Sequence, residues 1–168
     1  GDPATLGALP DPVAADEQPV RWLFYTSGTT ADPKGARHTD ASIAAVAYGM
    51  AQRMEVSDRD RSALVFPFTH IGGVTWLFTA LQAGCALILM EAFHPTATPE
   101  VLSRENVTLA GSGTPFHMAY LAAQRASLTP IFPEVRGFPG GGAPKPPQLV
   151  HDIRAVFEAP ILSGYGLT

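Results

Sequence analysis

The sequence predicts an α/β fold: a mainly parallel sheet with alternating helices on both faces. Three observations carry that prediction. Six short apolar runs, often β-branched, recur along the chain: Val20–Tyr25, Ala63–Phe66, Cys85–Met90, Val107–Ala110, Val135–Phe138 and Pro160–Ser163. They are largely apolar rather than alternating, Arg21 and Arg136 being the charged exceptions, as strands covered on both faces are. Stretches with helical patterning separate them. With 46% hydrophobic and only 15% charged residues in 168, the chain has enough apolar material for one sizeable core.

Residues 1–19, rich in Pro, Asp and Ala and without periodicity, read as a linker or surface arm ahead of a folded region at 20–168. After the first strand, Thr39-Asp40 supplies an N-cap pair for a helix that runs to about Met54. The mixed-charge run Asp58, Arg59, Asp60 and Arg61 reads as a solvated turn before the second strand. Residues 71–90 carry no formal charge and reach the length of a membrane span. Gly72, Gly73 and Gly84 interrupt them, however, so a helix at 72–82 followed by a buried strand is the expectation. Trp76 and Phe78 then pack in the core and Cys85 is a buried structural thiol. Further helices are expected at 98–105, 115–126 and 146–157. In the last of these, Leu149, Ile153, Val156 and Phe157 form an apolar stripe, with Asp152 and Arg154 between them.

Composition also excludes several function classes. The net charge is −4 and no basic stripe is present, which argues against nucleic acid as a partner. A single cysteine cannot form an internal disulfide framework and fits a reducing, cytoplasmic compartment. The first residues lack the basic start and apolar stretch of a signal peptide. His38, His94, His117 and His151 are scattered without Cys or carboxylate at ligand spacing, so no metal site is expected. His94-Pro95 reads as a turn.

In a layered parallel fold, chemistry belongs to the loops at the carboxyl ends of the strands. The strongest such loop is Tyr25-Thr26-Ser27-Gly28-Thr29-Thr30-Ala31-Asp32-Pro33-Lys34-Gly35. Its hydroxyls, the backbone N–H groups freed by glycine and the mobile charge of Lys34 suit the oxygens of a polyphosphate. Without nearby acids clustered around them, these groups make an anion site rather than a metal cage. A Walker loop is excluded, because Lys34 lies between Pro33 and Gly35 instead of between Gly and Ser or Thr.

Thr26–Gly35 resembles the phosphate-binding signature of the adenylate-forming superfamily, which comprises acyl- and aryl-CoA synthetases, peptide-synthetase adenylation domains and firefly luciferase. Ala31 stands where that family usually has Gly. Three further segments resemble family motifs, in the family's order. Phe66-Pro67-Phe68-Thr69-His70-Ile71-Gly72-Gly73 is similar to the segment lining the acyl pocket near the reacting carboxylate. A structural reading, His70 capping the next helix, stays open beside it. Gly140-Gly141-Gly142-Ala143-Pro144 resembles the glycine turn packed against adenine, and Ser163-Gly164-Tyr165-Gly166-Leu167-Thr168 the segment that stacks Tyr on adenine and brings Thr to the α-phosphate. Ser112-Gly113-Thr114-Pro115 is similar to the stretch where small residues shape the acyl pocket, with Phe116 beside it. An N-cap role for Thr114 is the alternative.

The resemblance implies an ATP-dependent acid–thiol ligase that forms an acyl-adenylate and passes the acyl group to coenzyme A. Lys34, His70 and Thr168 take the catalytic roles. Thr26, Ser27, Gly28, Thr29, Thr30, Lys34 and Gly35 hold the phosphates. Gly141, Gly142, Ala143, Gly164, Tyr165, Gly166 and Thr168 hold the rest of the nucleotide. The implied reactants are ATP with Mg²⁺, a small carboxylic acid and coenzyme A. In the family a Glu that helps hold Mg²⁺ comes next after the position of Thr168, and further functional residues lie downstream. The sequence is therefore read as an internal piece of the large N-terminal domain, inactive alone and prone to self-associate through uncovered surface. Two other readings remain: an adenylation domain that loads an amino acid onto a carrier protein, and a nucleotide-binding module that has lost the reaction.

Overall fold

The apolar runs pair in parallel. In the computed structural model, which describes residues 19–26, 32–166 and 168, β3 (Arg61–Leu64) pairs with β4 (Ala86–Leu89), Arg61 facing Ala86 and Leu64 facing Leu89. Farther along, β5 (Phe138–Gly140) pairs in parallel with β6 (Ile161–Ser163). The predicted run Val107–Ala110 contributes a bridge rather than a full strand: Leu109 joins Ser62 on one side and Gly137 on the other, both parallel. The spatial order is thus β4, β3, the Leu109 segment, β5, β6. Counted along the chain this is second, first, third, fourth, fifth, a doubly wound order that reverses between β3 and Leu109.

Helices cover both faces. Successive strand residues point to opposite sides. Ala63 and Val65 join Leu102, Tyr120, Leu121, Leu149 and Ile153 in one cluster, contributed by α3 (Ala97–Arg104), α4 (Thr114–Arg125) and α5 (Pro147–Phe157). Leu64 and Leu109 join Trp76 in another, against Met50, Met54 and Leu87, on the side of α1 (Asp40–Arg53) and α2 (Ile71–Ala83). Trp76 and Cys85 are buried and Phe78 is partly buried, as expected. Between α2 and β4, Gly84 ends the helix in the left-handed region at φ 71°. Among the described residues no helix is long and apolar enough to cross a membrane.

Two expectations are corrected. Lys34 and Gly35, expected to end the loop from Tyr25, instead open a strand, β2 (Lys34–His38), antiparallel to β1 (Trp22–Thr26), with Thr26 opposite Lys34 and Trp22 opposite His38. Lys-Gly-Ala-Arg-His carries no apolar run, so this strand is made by backbone pairing and is invisible to a hydrophobic pattern. The β1–β2 ribbon docks on the α1–α2 face through Phe24, packed with Ile43 and Val74, and through Trp22 Nε1, which donates to Asp40 Oδ1 at 2.7 Å. The second correction concerns Asp58–Arg61. Asp58 and Arg59 are exposed, but Asp60 is only 3% exposed and Arg61 opens β3, pairing with Glu105 at 2.9 Å. An acidic side chain bonded to its own neighbourhood can sit inside, which charge counting alone does not register. The N-cap of α1 is Thr39, in a reciprocal capping box with Ser42.

Candidate functional site

The doubly wound order gathers the sequence motifs at one pole. Phe66–His70 comes directly after β3, Gly111–Gly113 after the Leu109 segment, Gly141–Ala143 after β5 and Gly164–Gly166 after β6. All four lie at the carboxyl ends of parallel strands, and the first two flank the reversal point where such sheets bind ligands.

His70 is held by the first turn of α2. It is the N-cap of that helix, and its Nδ1 accepts the Gly72 N–H at 3.0 Å, so the capping reading is realised. That bond fixes the exposed ring by one nitrogen and leaves Nε2 for another partner. Its plane stands edge-on to Phe66, 5.8 Å between centroids. Gly73 makes the tight loop feasible: a Cβ there would stand 2.5 Å from the Pro67 carbonyl oxygen. Ile71, next to His70, packs in the same cluster as Phe24 of β1, which ties the β1–β2 ribbon to the start of α2.

The two predicted adenine segments meet. Gly164 N–H donates to the Gly140 carbonyl at 2.9 Å, and a Cβ on Gly141 would come within 3.0 Å of the Gly164 oxygen. Gly142 sits at φ 76°, a conformation open to glycine. Beside this turn Tyr165 is 95% exposed, so its ring face is available to a ligand. Thr168 is exposed. Lys34 and Gly35 start β2, with Gly35 beneath the Tyr25 ring. Ser27, Gly28, Thr29, Thr30 and Ala31 lie outside the described residues, as does most of the 1–19 segment, and Thr26 closes β1.

Sequence reasoning missed the polar residues that hold this pole in place. His117 and Tyr120, one turn apart on α4, are both fully buried. Tyr120 Oη donates to the Gly111 carbonyl at 2.7 Å and His117 Nε2 to the Pro139 carbonyl at 3.2 Å. Because a carbonyl only accepts, Nε2 carries the proton and the buried Nδ1 is a lone pair without a partner among the described residues. Burial, followed by the charge of Lys145, drives the His117 pKa down to about 4 against the opposing bond to Pro139, so the ring is neutral. Burial alone pushes the Tyr120 hydroxyl well above its ordinary value. A histidine in an apolar helix with no spaced ligands gave no sign of this in the sequence. Thr114 is corrected too: the N-cap of α4 is Gly113, and Thr114 Oγ1 instead donates to the Pro144 carbonyl at 3.2 Å. Among the described residues no group of His, Cys, Asp and Glu gathers for a metal ion.

The sequence matches the family described as AMP-binding enzyme over residues 2–168. This chain belongs to the AMP-binding enzyme family. This AMP-binding enzyme chain is 32% identical to the long-chain-fatty-acid–CoA ligase FadD13 of Mycobacterium tuberculosis over 162 residues, 92% of the chain and 32% of that protein. It is also 32% identical to the 2-succinylbenzoate–CoA ligase of Bacillus velezensis over 153 residues, 87% of the chain and 29% of that protein. The chain therefore spans about a third of the length of the relatives it matches. The inhibitor-bound N-terminal domain of FACL13 from Mycobacterium tuberculosis superposes with a TM-score of 0.77 at 32% identity, covering 86% of this chain and 36% of that one. The O-succinylbenzoate coenzyme A synthetase of Bacillus subtilis, in complex with ATP and magnesium, superposes at 0.74 with 27% identity, covering 86% and 30%. The α/β fold read from the apolar runs is the fold of these N-terminal AMP-binding domains.

Proposed function

We propose that the whole protein activates a carboxylic acid with ATP as an acyl-adenylate and transfers the acyl group to coenzyme A. The observation that carries this reading is the hydrogen bond from Gly164 to Gly140, which brings the glycine turn and the exposed Tyr165 into one place fit for a purine ring. In this reading Thr26, Ser27, Gly28, Thr29, Thr30, Lys34 and Gly35 receive the β- and γ-phosphates. Gly141, Gly142, Ala143, Gly164, Tyr165 and Gly166 hold the base, and Thr168 meets the α-phosphate. His70, fixed through Nδ1, faces the carboxylate with its free nitrogen. Displacement at the α-phosphorus needs little covalent help from a protein, so positioning and charge neutralisation do most of the work. Mg²⁺ would arrive with the nucleotide and neutralise phosphate charge; the phosphate loop, rich in hydroxyls and one lysine, suits the oxygens rather than the metal. The relatives are named as CoA ligases, which favours coenzyme A over a carrier protein as acceptor. The lone cysteine is consistent with a cytoplasmic setting.

ATP–pyrophosphate exchange on the full-length polypeptide, with a panel of fatty, aromatic, dicarboxylic and amino acids, tests the reading. Exchange supported by one acid class and lost in Lys34→Ala is expected. Folded protein that binds ATP yet exchanges with no acid would instead identify a nucleotide-binding module without the reaction.

A further inference from the structure

Three groups converge on Gly140. The point where a Cβ would stand on this residue lies 3.0 Å from His117 Cε1, 3.1 Å from the Gly113 nitrogen and 3.2 Å from Lys145 Cε. The absence of a side chain at 140 is what lets the lysine stem pass over the strand end toward the start of α4. The Thr114–Pro144 hydrogen bond ties the neighbouring backbone to that helix start. Lys145 is half-buried, and loss of hydration lowers its pKa. Among the described residues it makes no hydrogen bond and no ion pair. Beside it, α4 spans twelve residues and has no side-chain cap; Pro115 has no N–H, so Thr114 and Phe116 carry the first-turn N–H groups at the positive end of its dipole. His117, fully buried, approaches the same point only through Cε1 and is neutral, so Lys145 is the one charge there among the described residues. A partly desolvated ammonium next to an uncapped helix start is an arrangement that an anion completes.

The location says which anion. The β1–β2 ribbon docks on the α1–α2 face, whereas Gly113 and Lys145 adjoin α4 on the opposite face. Phe116 lies 3.5 Å from the Cβ point of Gly113 and meets Phe93 edge-on at 4.6 Å, so apolar aromatic surface adjoins the charge. An anion held here would belong to a molecule with an apolar body.

Resting on the acid-activating reading of the whole protein, we propose that Lys145 and the start of α4 form a seat for a second carboxylate, so that the acid this protein activates is a dicarboxylic acid. One carboxylate reacts on the His70 side while the other is anchored at Lys145.

The test compares ATP–pyrophosphate exchange on the full-length polypeptide for paired acids of equal length, hexanoate against adipate and 4-phenylbutanoate against its 4-carboxyphenyl counterpart. The wild type should prefer the diacid in kcat/KM. Lys145→Leu should reduce the diacid-to-monoacid ratio by about tenfold to a hundredfold, the worth of a charge-assisted hydrogen bond, and Lys145→Arg should retain most of it. Equal losses for both acids, or none, would overturn the seat while leaving the acid-activating reading intact. A second measurement needs no turnover: adipate titrated into the full-length polypeptide should move the Gly113 and Gly140 amide resonances, and not in Lys145→Leu. If inorganic phosphate or AMP moves them and adipate does not, the anion is the nucleotide's and the dicarboxylate assignment fails. Absence of exchange with every acid would sink the underlying reading, and the amide shifts would still decide whether a dicarboxylate binds at Lys145.

Discussion

Arg136 grips Asp60 through two parallel bonds of 2.7 Å each, Nε to Oδ1 and Nη2 to Oδ2. Thr108 Oγ1 and the Ser57 N–H complete the carboxylate's shell, and Arg136 Nη1 reaches the Met54 carbonyl at the end of α1. The grip joins the amino-terminal ends of β3, the Leu109 segment and β5, at the pole opposite the site. Removing either partner leaves a charge with its hydration lost, so Asp60→Ala and Arg136→Ala should each cost about 3 kcal/mol, the low end for a broken buried pair because Arg136 is partly exposed. Urea unfolding of both single variants and the double variant measures this. Losses that simply add would show that the two residues do not act as a pair.

Two pH windows should separate in the stability of the chain. The His117 pKa falls from 6.5 to about 4 on folding, so between those values the unfolded chain binds more protons and stability drops as pH falls, by roughly 3 kcal/mol in all. Burial raises the Asp60 pKa, but the bonds from Arg136, Ser57 and Thr108 outweigh it and bring the group from 3.8 to about 2. Its contribution is complete above 3.8 and is lost only below that value. Denaturant midpoints taken from pH 7.5 to 2.5 should show both slopes, and His117→Phe should flatten the upper one alone.

Gly73→Ala should disturb the His70 loop more than a helix substitution ordinarily does. The added methyl group meets the Pro67 carbonyl at 2.5 Å, and backbone must move to admit it. A loss of about 1–3 kcal/mol is expected. Activity should fall with a larger rise in KM for the acid than for ATP. Equal effects on the two would separate this loop from the acid.

Tyr165→Ala should leave stability within about 0.5 kcal/mol, since the side chain is 95% exposed. Affinity for AMP should weaken by about 1 kcal/mol or more, as loss of a stacking face does. Tyr165→Phe should bind as the parent does. Calorimetric titration reads all three, and unchanged affinity in the alanine variant would remove Tyr165 from the nucleotide site.

The legible part of this protein was what burial writes into composition. Ile88 and Phe138 face one helical layer and Leu109 the other, so both faces of the strands are apolar, and the runs containing them disclosed the parallel array. Glycine-rich turns were legible for a related reason, since the contacts of Gly141 and Gly73 exclude a side chain. Elements formed by backbone alone left no trace: β2 pairs through peptide groups while Lys34, Gly35 and Arg37 face solvent. Long-range polar partners were equally silent. Nothing near Asp60 announces Arg136, and nothing near His117 announces Pro139, because those pairs exist only once the sheet is ordered.

Parallel pairing of β5 with β6 also has a consequence during synthesis. An antiparallel neighbour can fold back at once, but a parallel one must wait for its crossover, here α5. Until Ser163 has left the ribosome, the edge from Phe138 to Gly140 has no neighbour and the glycine turn lacks the Gly164 bond that shapes it. A pause in translation within α5 would hold open a strand edge next to apolar surface, inviting a chaperone or another nascent chain. Pairing of β5 with β6 and closure of the Gly140–Gly164 turn are then one event.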